Sequence, residues 1–396
     1  MSDAGEVCRR PGRHDRPVRA SWMTSEQAAE ALGVRLSTLY AYVSRGVIAR
    51  EVSTGPEGQR VSRFRRDDVL ALARARSRPR AGALPLIESE VTQLDASGRL
   101  AFRGVDVADC AAWGFERTAC HVLGMSDADA TWRAEAAEAA EAEGTVPGDP
   151  AGADVVRWTV MRGAARDRER TCLEPGHCRE VAVTAVAAST TALTGLRDGT
   201  VAERLARAWA PEPVDDARLA GVGRALDAAL TALVDHELTA STLAARTAAG
   251  VGADPWMVLL TGLAAMSGRA QAGASRAATR ALRAWIATRA VPDAPVPGFG
   301  HKVYVGPDPR VAVLLDRVAD VSPDAADAAD DLAVRVAREH SVHPNVDAAL
   351  AALTVAADLP ADAGEVVFTL ARIPGLMAHA LEEYPNGLRL RPRALA

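Results

Sequence analysis

The sequence of 396 residues is poor in aromatic residues and contains no long apolar run. Phe, Trp and Tyr make up only 4% of the chain, so the core must be built from Ala, Leu and Val, and Ala-rich segments favour helix over strand. The absence of about 18 consecutive uncharged apolar residues excludes an ordinary membrane-spanning helix. The polar, Arg-rich segment 1–19 lacks the apolar stretch of a secretory signal, so we expect a cytoplasmic protein.

Cysteine is scarce as well. The chain has an odd number of widely spaced cysteines, which argues against a disulfide framework. The five are Cys8, Cys110, Cys120, Cys172 and Cys178. Cys172, His177 and Cys178 are close in sequence, but they offer too few ligands at a recognised spacing for a metal site. We therefore expect no bound metal.

The net charge of −5 is unevenly distributed along the chain. Residues 1–80 hold 16 Arg against nine Asp and Glu, an excess of seven positive charges, so the remainder carries −12. A basic N-terminal part on an acidic body indicates that this part is the one suited to a polyanion.

Residues 22–46 have the pattern of two short helices around a turn that contains glycine. The helical pattern begins at Trp22, Thr24 is suited to an N-cap, and Gln27 completes a capping box three residues later. Gly33 ends the first predicted helix, and a second begins at Ser37. This arrangement predicts a helix-turn-helix.

A predicted hairpin and a third helix complete the N-terminal domain. Residues 47–50 and 60–64 flank a Gly/Pro turn and predict a β-hairpin wing, and residues 67–73 begin a helix with acidic residues at its start. The predicted divisions are a disordered tail at 1–20, a winged helix-turn-helix domain at 21–76 and a linker at 77–83.

This N-terminal part resembles the winged helix-turn-helix of the MerR and excisionase type. The resemblance implies that the second helix and the wing face DNA. The implied contacts are Ser37, Thr38, Tyr40, Arg45, Arg60 and Arg63. The alternative is a docking domain that has this fold and binds no DNA.

From Leu84 onward the chain is mainly helical in pattern, with one predicted β-hairpin over 86–103. The helical segments are 181–196, 214–249, 255–266, 272–289, 310–340, 346–357 and 364–384.

Four polar clusters stand out from this Ala-rich background: 234–246, 297–310, 344–347 and 371–379. In the second, two glycines bracket Phe299 just before His301, a pattern that can bring backbone close to a flat ligand and hold an imidazole beside it. Each histidine or arginine taken alone has an ordinary structural explanation. Together, in rigid segments rich in Gly and Pro, they indicate a site.

These clusters, with the segment 100–106, resemble the motifs of the citrate synthase family in order and spacing. The resemblance spans 84–396 and implies a mainly α fold of a large and a small helical subdomain, the small one at approximately 272–345. The family is an acyltransferase family that joins acetyl-CoA to oxaloacetate or a related 2-oxo acid, as in the tricarboxylic acid cycle, and works as a dimer. It implies no cofactor beyond the CoA thioester substrate.

The resemblance also implies roles for individual residues. Asp347 would take a proton from the thioester methyl group, His301 would polarise the 2-oxo carbonyl, and His236 would bind the oxo acid. Three arginines would bind its carboxylates, the last reaching in from the other subunit of the dimer. These are Arg310, Arg372 and Arg391. The implied CoA contacts are Pro297, Gly298, Phe299, Gly300 and Lys302.

One departure from the family pattern affects the chemistry. Gln271 stands where the family has a catalytic histidine, Ala272 replaces a glycine and Thr239 replaces an asparagine. A glutamine amide can donate a hydrogen bond but cannot exchange a proton. Loss of such a donor typically lowers the rate by about 10²–10³, so we expect weakened activity with acetyl-CoA or propionyl-CoA.

Two functions remain open from the sequence. The first is a condensing enzyme, because most of the expected site is present. The second is a catalytically impaired regulator that senses a ligand and binds DNA. A homodimer is expected, and a heterodimer with a complete paralogue would supply the missing histidine.

Overall fold

The computed structural model describes most of the chain, in two separate units. The described residues are 22–32, 34–44, 47–54, 58, 60–66, 68–69, 87–94, 98–126, 151–211, 213–268, 271–304 and 306–389. The first unit lies within 22–69 and the second within 87–389, and each has its own hydrophobic core.

The first unit combines two short helices with a three-stranded antiparallel sheet. Its elements are β1 (Trp22–Thr24), α1 (Ser25–Ala31), α2 (Leu36–Ser44), β2 (Glu51–Thr54) and β3 (Arg60–Arg65). The strand order is β1-β3-β2, with Glu51 opposite Arg63. Ala28, Leu39 and Phe64 are fully buried between the helices and the sheet. The predicted helix-turn-helix and the hairpin are confirmed, but the first strand of the hairpin is Glu51–Thr54 and not 47–50 as predicted.

The predicted start of the first helix at Trp22 is wrong. Residues Trp22–Thr24 form a strand that pairs with β3, and the helix begins at Ser25. The capping box itself is confirmed, because Thr24 N–H donates to Gln27 Oε1 at 3.0 Å and Gln27 N–H donates to Thr24 Oγ1 at 3.3 Å. An N-cap residue has extended backbone, so the residues before it are free to join a sheet. The predicted tail 1–20, the linker 77–83 and most of the helix at 67–73 lie outside the described residues.

The second unit begins with a small antiparallel sheet and continues as helices. Its strands are β4 (Thr92–Leu94), β5 (Leu100–Phe102) and β6 (Val105–Asp106). The pairing of β4 with β5 confirms the hairpin expected over 86–103. The helices are α3 (Val107–Trp113), α4 (Phe115–Leu123), α5 (Gly152–Arg166), α6 (Pro175–Thr194), α7 (Val201–Trp209), α8 (Asp216–Leu233), α9 (Ala240–Gly250), α10 (Pro255–Ala265), α11 (Ala274–Thr288), α12 (Pro309–Val321), α13 (Pro323–His340), α14 (Val346–Ala356) and α15 (Ala363–Glu383). None of the helices in the described part of the chain has the length and hydropathy needed to cross a membrane.

The central element of the second unit is α15, which is buried along nearly all of its length and packs against α6, α9 and α10. Gly375 allows this helix to approach the end of α8 closely. A Cβ atom at Gly375 would lie 2.6 Å from Asp235 Oδ1, which only glycine avoids. The close packing places Arg372, one turn earlier, beside the turn that follows α8.

The continuous helical pattern over 214–249 is divided into two helices in the structure. Helix α8 ends at Leu233 and α9 begins at Ala240, and Glu237 in the intervening turn has a φ of +59°. The pattern over 310–340 is likewise divided, at Ser322, which caps α13. In both segments the apolar periodicity continues across the break, because the helix before it and the helix after it each bury an apolar face.

Candidate active site

One cavity of about 890 Å³ in the second unit gathers residues from all four polar clusters of the sequence. Its walls come from the turn 234–239, residues 300–303 of the glycine loop (residues 297–304), the start of α14 and the middle of α15. The predicted site residues that line it are His236, Gln271, Gly300, His301, Lys302, Arg310, Asp347 and Arg372. The structure therefore brings together the histidines, the carboxyl group and two of the three arginines.

The glycine loop is held against the segment that precedes α14. Asn345 N–H donates to the carbonyl of Gly298 at 2.9 Å, and Asn345 Nδ2 donates to the carbonyl of Gly300 at 2.8 Å. Both glycines have positive φ, +85° and +82°, a conformation that favours glycine. Because Asn345 also caps α14, these bonds fix His301 relative to Asp347.

His301 is held as a neutral hydrogen-bond donor. Its Nδ1 accepts from the backbone N–H groups of Val303 at 3.1 Å and Tyr304 at 3.3 Å. Burial, followed by the positive charge of Arg310, holds the pKa of His301 below its usual value. A neutral ring that accepts at Nδ1 carries its proton on Nε2, so that N–H is the group available for a ligand.

His236 packs beside His301, with ring centroids 5.2 Å apart. Its Nε2 lies 2.9 Å from the hydroxyl of Tyr304. Burial lowers the pKa of His236 well below the usual range, and Arg310 and Arg372 lower it further. Two neutral imidazoles therefore face a cavity whose buried positive charge comes from Arg310 and Arg372.

Asp347, at the second position of α14, has the properties of a general base. Its Oδ1 is buried and has no hydrogen-bond partner among the described residues. Burial raises the pKa of Asp347 to about 7, and Arg310 opposes that rise. A carboxyl group with a pKa near the working pH is present as the carboxylate often enough to accept a proton, and it binds that proton more tightly than an ordinary carboxylate.

Arg310 is positioned by Asp308 at the start of α12. The guanidinium donates to both carboxylate oxygens, from Nε at 2.9 Å and from Nη2 at 2.7 Å. Asp308 Oδ2 also accepts from Val346 N–H at 3.1 Å, so this carboxylate joins α12 to α14. Burial would raise the pKa of Asp308, but the paired Arg310 outweighs it and holds the pKa below its usual value.

Arg372 is fully buried and only partly paired. Its Nε donates to the carbonyl of Leu233 at 2.9 Å, and its guanidinium lies over the ring of Phe368 at 5.0 Å. Nη1 and Nη2 have no hydrogen-bond partner among the described residues. Burial lowers the pKa of Arg372 to about 10. Two unpaired N–H groups in a fork, held still by the protein, are suited to a carboxylate.

A buried chain of polar residues supports the turn that carries His236. His379 Nε2 lies 3.2 Å from Asp235 Oδ2, and Arg246 Nη1 lies 2.8 Å from His379 Nδ1. Arg246 Nε donates to Glu383 Oε2 at 2.8 Å. The chain joins the end of α8 to α9 and α15, so it fixes the wall of the cavity from behind.

Gln271 lies in the cavity and is tied to a cluster of hydroxyl groups. Its Nε2 donates to Ser241 Oγ at 2.8 Å, and Ser241 Oγ lies 2.9 Å from Thr239 Oγ1. The neighbouring Ala272 is completely buried. The amide is therefore oriented by Ser241, which in turn contacts Thr239, the residue that stands where the family has an asparagine.

Some predicted residues lie elsewhere. In the described part of the chain Pro297, Gly298 and Phe299 do not line this cavity, and Gly298 instead packs against Ala278 and Ala348. The role of these three in binding CoA stays a prediction. Arg391 lies outside the described residues.

Two residues of the site, Tyr304 and Asp308, have no role predicted from the sequence. Both lie in the motif around His301, but their contacts connect it to other segments. The spacing of Asp308, two residues before Arg310 at a helix start, is the only local indication of its role as an N-cap. In the described residues no group of three or more His, Cys, Asp and Glu is arranged to hold a metal ion.

The predicted DNA contacts lie in the first unit. Ser37 and Tyr40 are exposed on α2, Thr38 is half-buried, and Arg60 and Arg63 are exposed on β3. The hydroxyl of Tyr40 lies 2.9 Å from Ser25 Oγ. Arg45 lies outside the described residues.

Comparison with known protein families gives two matches. The family described as citrate synthase, C-terminal domain, matches residues 82–393. The family described as helix-turn-helix domain matches residues 22–77.

Individual relatives are citrate synthases. That of Saccharolobus solfataricus is 31% identical over 191 residues, which cover 43% of this chain and 51% of the relative. That of Haloferax volcanii is 28% identical over 183 residues, 42% of this chain and 48% of the relative. The chain thus spans about half the length of the curated relatives it matches.

The fold has a solved counterpart. The citrate synthase of Thermoplasma acidophilum, in a ternary complex with carboxymethyl coenzyme A and oxaloacetate, superimposes with a TM-score of 0.59 at 19% identity. The match covers 78% of this chain and 93% of that one. The predicted mainly α fold of the citrate synthase type is confirmed.

Proposed function

Because the chain belongs to the citrate synthase family, we propose that it condenses an acyl-CoA thioester, acetyl-CoA or propionyl-CoA, with oxaloacetate or a related 2-oxo acid. The observation that carries the proposal is the shared cavity of Asp347, His301 and Arg372. It combines a carboxyl base, a neutral N–H donor and an unpaired guanidinium. The solved relative in complex with carboxymethyl coenzyme A and oxaloacetate supports the same pair of substrates.

The proposed reaction begins at Asp347. Its carboxylate takes a proton from the carbon next to the thioester carbonyl, and the resulting enol carbon attacks the 2-oxo carbonyl of the second substrate. The Nε2–H of His301 donates to that carbonyl oxygen and protonates it as the new C–C bond forms. Water then cleaves the thioester and releases CoA as the free thiol.

Arg372 and Arg310 would hold the oxo acid. Arg372 has two unpaired N–H groups for one carboxylate, whereas Arg310 already shares its fork with Asp308 and supplies mainly positive charge. His236 would complete the binding of the oxo acid. Arg391 of the second subunit remains the third proposed carboxylate ligand.

Gln271 would donate a hydrogen bond to the thioester oxygen in place of the family's histidine. Its amide is oriented by Ser241, which favours a donor role. It cannot accept or release a proton, so we propose a slower enzyme, by about 10²–10³ where the donor is badly placed.

Release of free thiol from acetyl-CoA and from propionyl-CoA, with oxaloacetate as co-substrate, tests the proposal. We expect release that depends on both substrates, is lost in Asp347→Asn and rises in Gln271→His. Tyr384→Phe changes a residue that does not line the cavity, so it serves as the control variant and should release thiol at the wild-type rate. Absence of release from the wild type and from Gln271→His alike would refute the condensing function.

A second candidate function is a DNA-binding regulator that responds to ligands of the cavity. Its support is the helix-turn-helix match over 22–77 and the exposed arginines of β3. Fluorescence anisotropy with duplex DNA at low salt, with and without CoA or oxaloacetate, tests it. A flat titration in every condition would remove this candidate.

We also propose a homodimer. Trp158 and Met161 lie three residues apart on α5, with 41% and 43% of their surface exposed, which indicates an apolar face suited to self-association. Mass measurement by light scattering tests the state of the pure chain. A monomer that dimerises only with a second, histidine-containing paralogue would instead support the heterodimer.

A further inference from the structure

Lys302 is the single lysine of the sequence, among 46 Lys and Arg residues. The other 45 of these residues are arginines. The guanidinium of arginine is always protonated and delocalised, so it does not attack thioesters under ordinary conditions. A lysine amine is a target of acylation. The chain therefore has one side-chain amine, and its location is informative.

That amine lies at the cavity of the candidate active site. Lys302 lines the cavity together with Gly300 and His301, and the residue is exposed. Among the described residues no carboxylate forms an ion pair with it. The side chain is thus free to turn toward a ligand in the cavity.

The backbone that carries this free side chain is fixed. Gly300 N–H donates to the carbonyl of His343 at 2.8 Å, and Val303 N–H donates to His301 Nδ1 at 3.1 Å. Lys302 is therefore a flexible four-carbon arm on a rigid base. Such an arm has a high local concentration at the cavity and a low one elsewhere.

We propose that Lys302 is a self-acylation site for the acyl-CoA that enters this cavity. The proposal rests on the proposed function in one respect, since it requires an acyl-CoA thioester to bind there. The neutral Nζ attacks the thioester carbonyl carbon, an N–C bond forms and the C–S bond breaks. CoA leaves as a thiolate that takes a proton from water, and the nitrogen loses one proton to water.

The modification changes the charge of the cavity. The ammonium of Lys302 becomes a neutral amide, while Arg310 and Arg372 keep their positive charge. Attraction for the phosphates of CoA is reduced, and attraction for a dicarboxylate is nearly unchanged. Acylation therefore down-regulates thioester binding when acyl-CoA is abundant and the oxo acid is scarce.

A variant chain with one added lysine gives an internal control. Arg338 lies on α13, is exposed and does not line the cavity, so Arg338→Lys adds an ordinary surface amine. The full-length variant is incubated with acetyl-CoA alone, and both lysines are followed by peptide mass spectrometry. Treatment with hydroxylamine removes acyl groups from thiols and leaves amides.

We expect Lys302 to be acylated at least about 10-fold faster than the lysine introduced by Arg338→Lys, because binding places the thioester beside Lys302. The rate should saturate with acetyl-CoA concentration, and Lys302→Arg should remove the modified peptide. Equal rates at the two lysines, or no acyl group at 302, would overturn the proposal.

Thiol release in the presence of oxaloacetate is measured on the same preparation. Condensation without acylated Lys302 rejects self-acylation and leaves the proposed function intact. Fast, saturable acylation without condensation supports self-acylation and rejects the proposed function, because it shows that the thioester binds while the carbon–carbon bond does not form.

Discussion

Replacing Asp347 with asparagine tests whether burial in the cavity raises the pKa of this carboxyl group and so destabilises its charged form. Burial raises the pKa of Asp347 to about 7, and its Oδ1 has no partner among the described residues. Asparagine has nearly the same shape and carries no charge, so the variant removes the penalty of the charged form and keeps the packing.

The magnitude follows from the two pKa values of this carboxyl group. The unfolded chain loses the proton near its ordinary pKa of 3.8, and the folded protein loses it near a pKa of about 7. Between these values the folded state binds more protons, so the free energy of unfolding falls as pH rises. The interval corresponds to about 4 kcal/mol. Because the side chain has partial access to solvent, we expect the pH-dependent change in the free energy of unfolding to be about 2 kcal/mol.

Urea unfolding of wild type and Asp347→Asn at several pH values measures this effect. At about pH 3, below both pKa values, the group is mostly neutral in both states and the two proteins should be nearly equal in stability. At about pH 8 the variant should be more stable by about 2 kcal/mol. Asp327→Asn, which removes an exposed carboxyl group on α13, should show no such trend.

Activity should move in the opposite direction from stability. An amide cannot take a proton, so thiol release in Asp347→Asn should fall by about 10²–10⁴. A stability difference that is independent of pH, or largest in acid, would refute the assignment of a raised pKa to Asp347. Unchanged thiol release would separately refute its role as the base.

Three further changes test other parts of the structure. Arg372→Met should raise the KM of the oxo acid by about 30-fold or more, since truncating a buried charged partner typically costs 2–5 kcal/mol; an equal change in the KM of the thioester would contradict the assignment. Gly298→Ala should lower the free energy of unfolding by about 1–3 kcal/mol, because the added Cβ would lie 3.0 Å from that of Ala278 at a φ of +85°. Gly306→Ala, with open space around it, should have little effect in the same denaturation experiment. Arg63→Ala should reduce the salt dependence of DNA binding, measured as the slope of log K against log salt, by about 1, and an unchanged slope would exclude a phosphate contact.

Short-range features of the fold were predictable from the sequence. The capping box of Thr24 and Gln27 involves residues three apart, and its hydrogen bonds form as expected. The strand before it was missed because its partner β3 is about 40 residues away. The local sequence pattern around Trp22–Thr24 therefore gives no sign of the pairing between β1 and β3.

The breaks within long helical patterns were not predictable for a related reason. The turn 234–239 contains neither glycine nor proline, and Glu237 adopts a positive φ without either. Its conformation depends on Asp235, which accepts a hydrogen bond from Glu237 N–H at 2.9 Å and contacts His379 far along the chain. A local hydrogen bond and a long-range one thus meet at Asp235, and the long-range partner is absent from the local sequence pattern.

The members of the candidate site were predicted only through their resemblance to a family. Composition and spacing indicated that His301, Asp347 and Arg372 were unusual, but not that they would line one cavity. Their convergence depends on contacts such as that of Asp308 with both Arg310 and the start of α14, across about 38 residues. Nothing in the local sequence of either segment specifies the other.

The arginines that we propose as ligands of the oxo acid also affect the protonation of the other groups in the cavity. Burial and then Arg310 keep His301 neutral, so its Nε2–H is a donor before any substrate arrives. Arg310 also lowers the pKa of Asp347 against the effect of burial. A dianionic substrate bound to the guanidinium groups would offset that positive charge and raise the proton affinity of Asp347. On the proposed mechanism the base would therefore become stronger once the oxo acid is bound, and this would tie removal of the methyl proton to the presence of the carbonyl group that the resulting carbon nucleophile attacks.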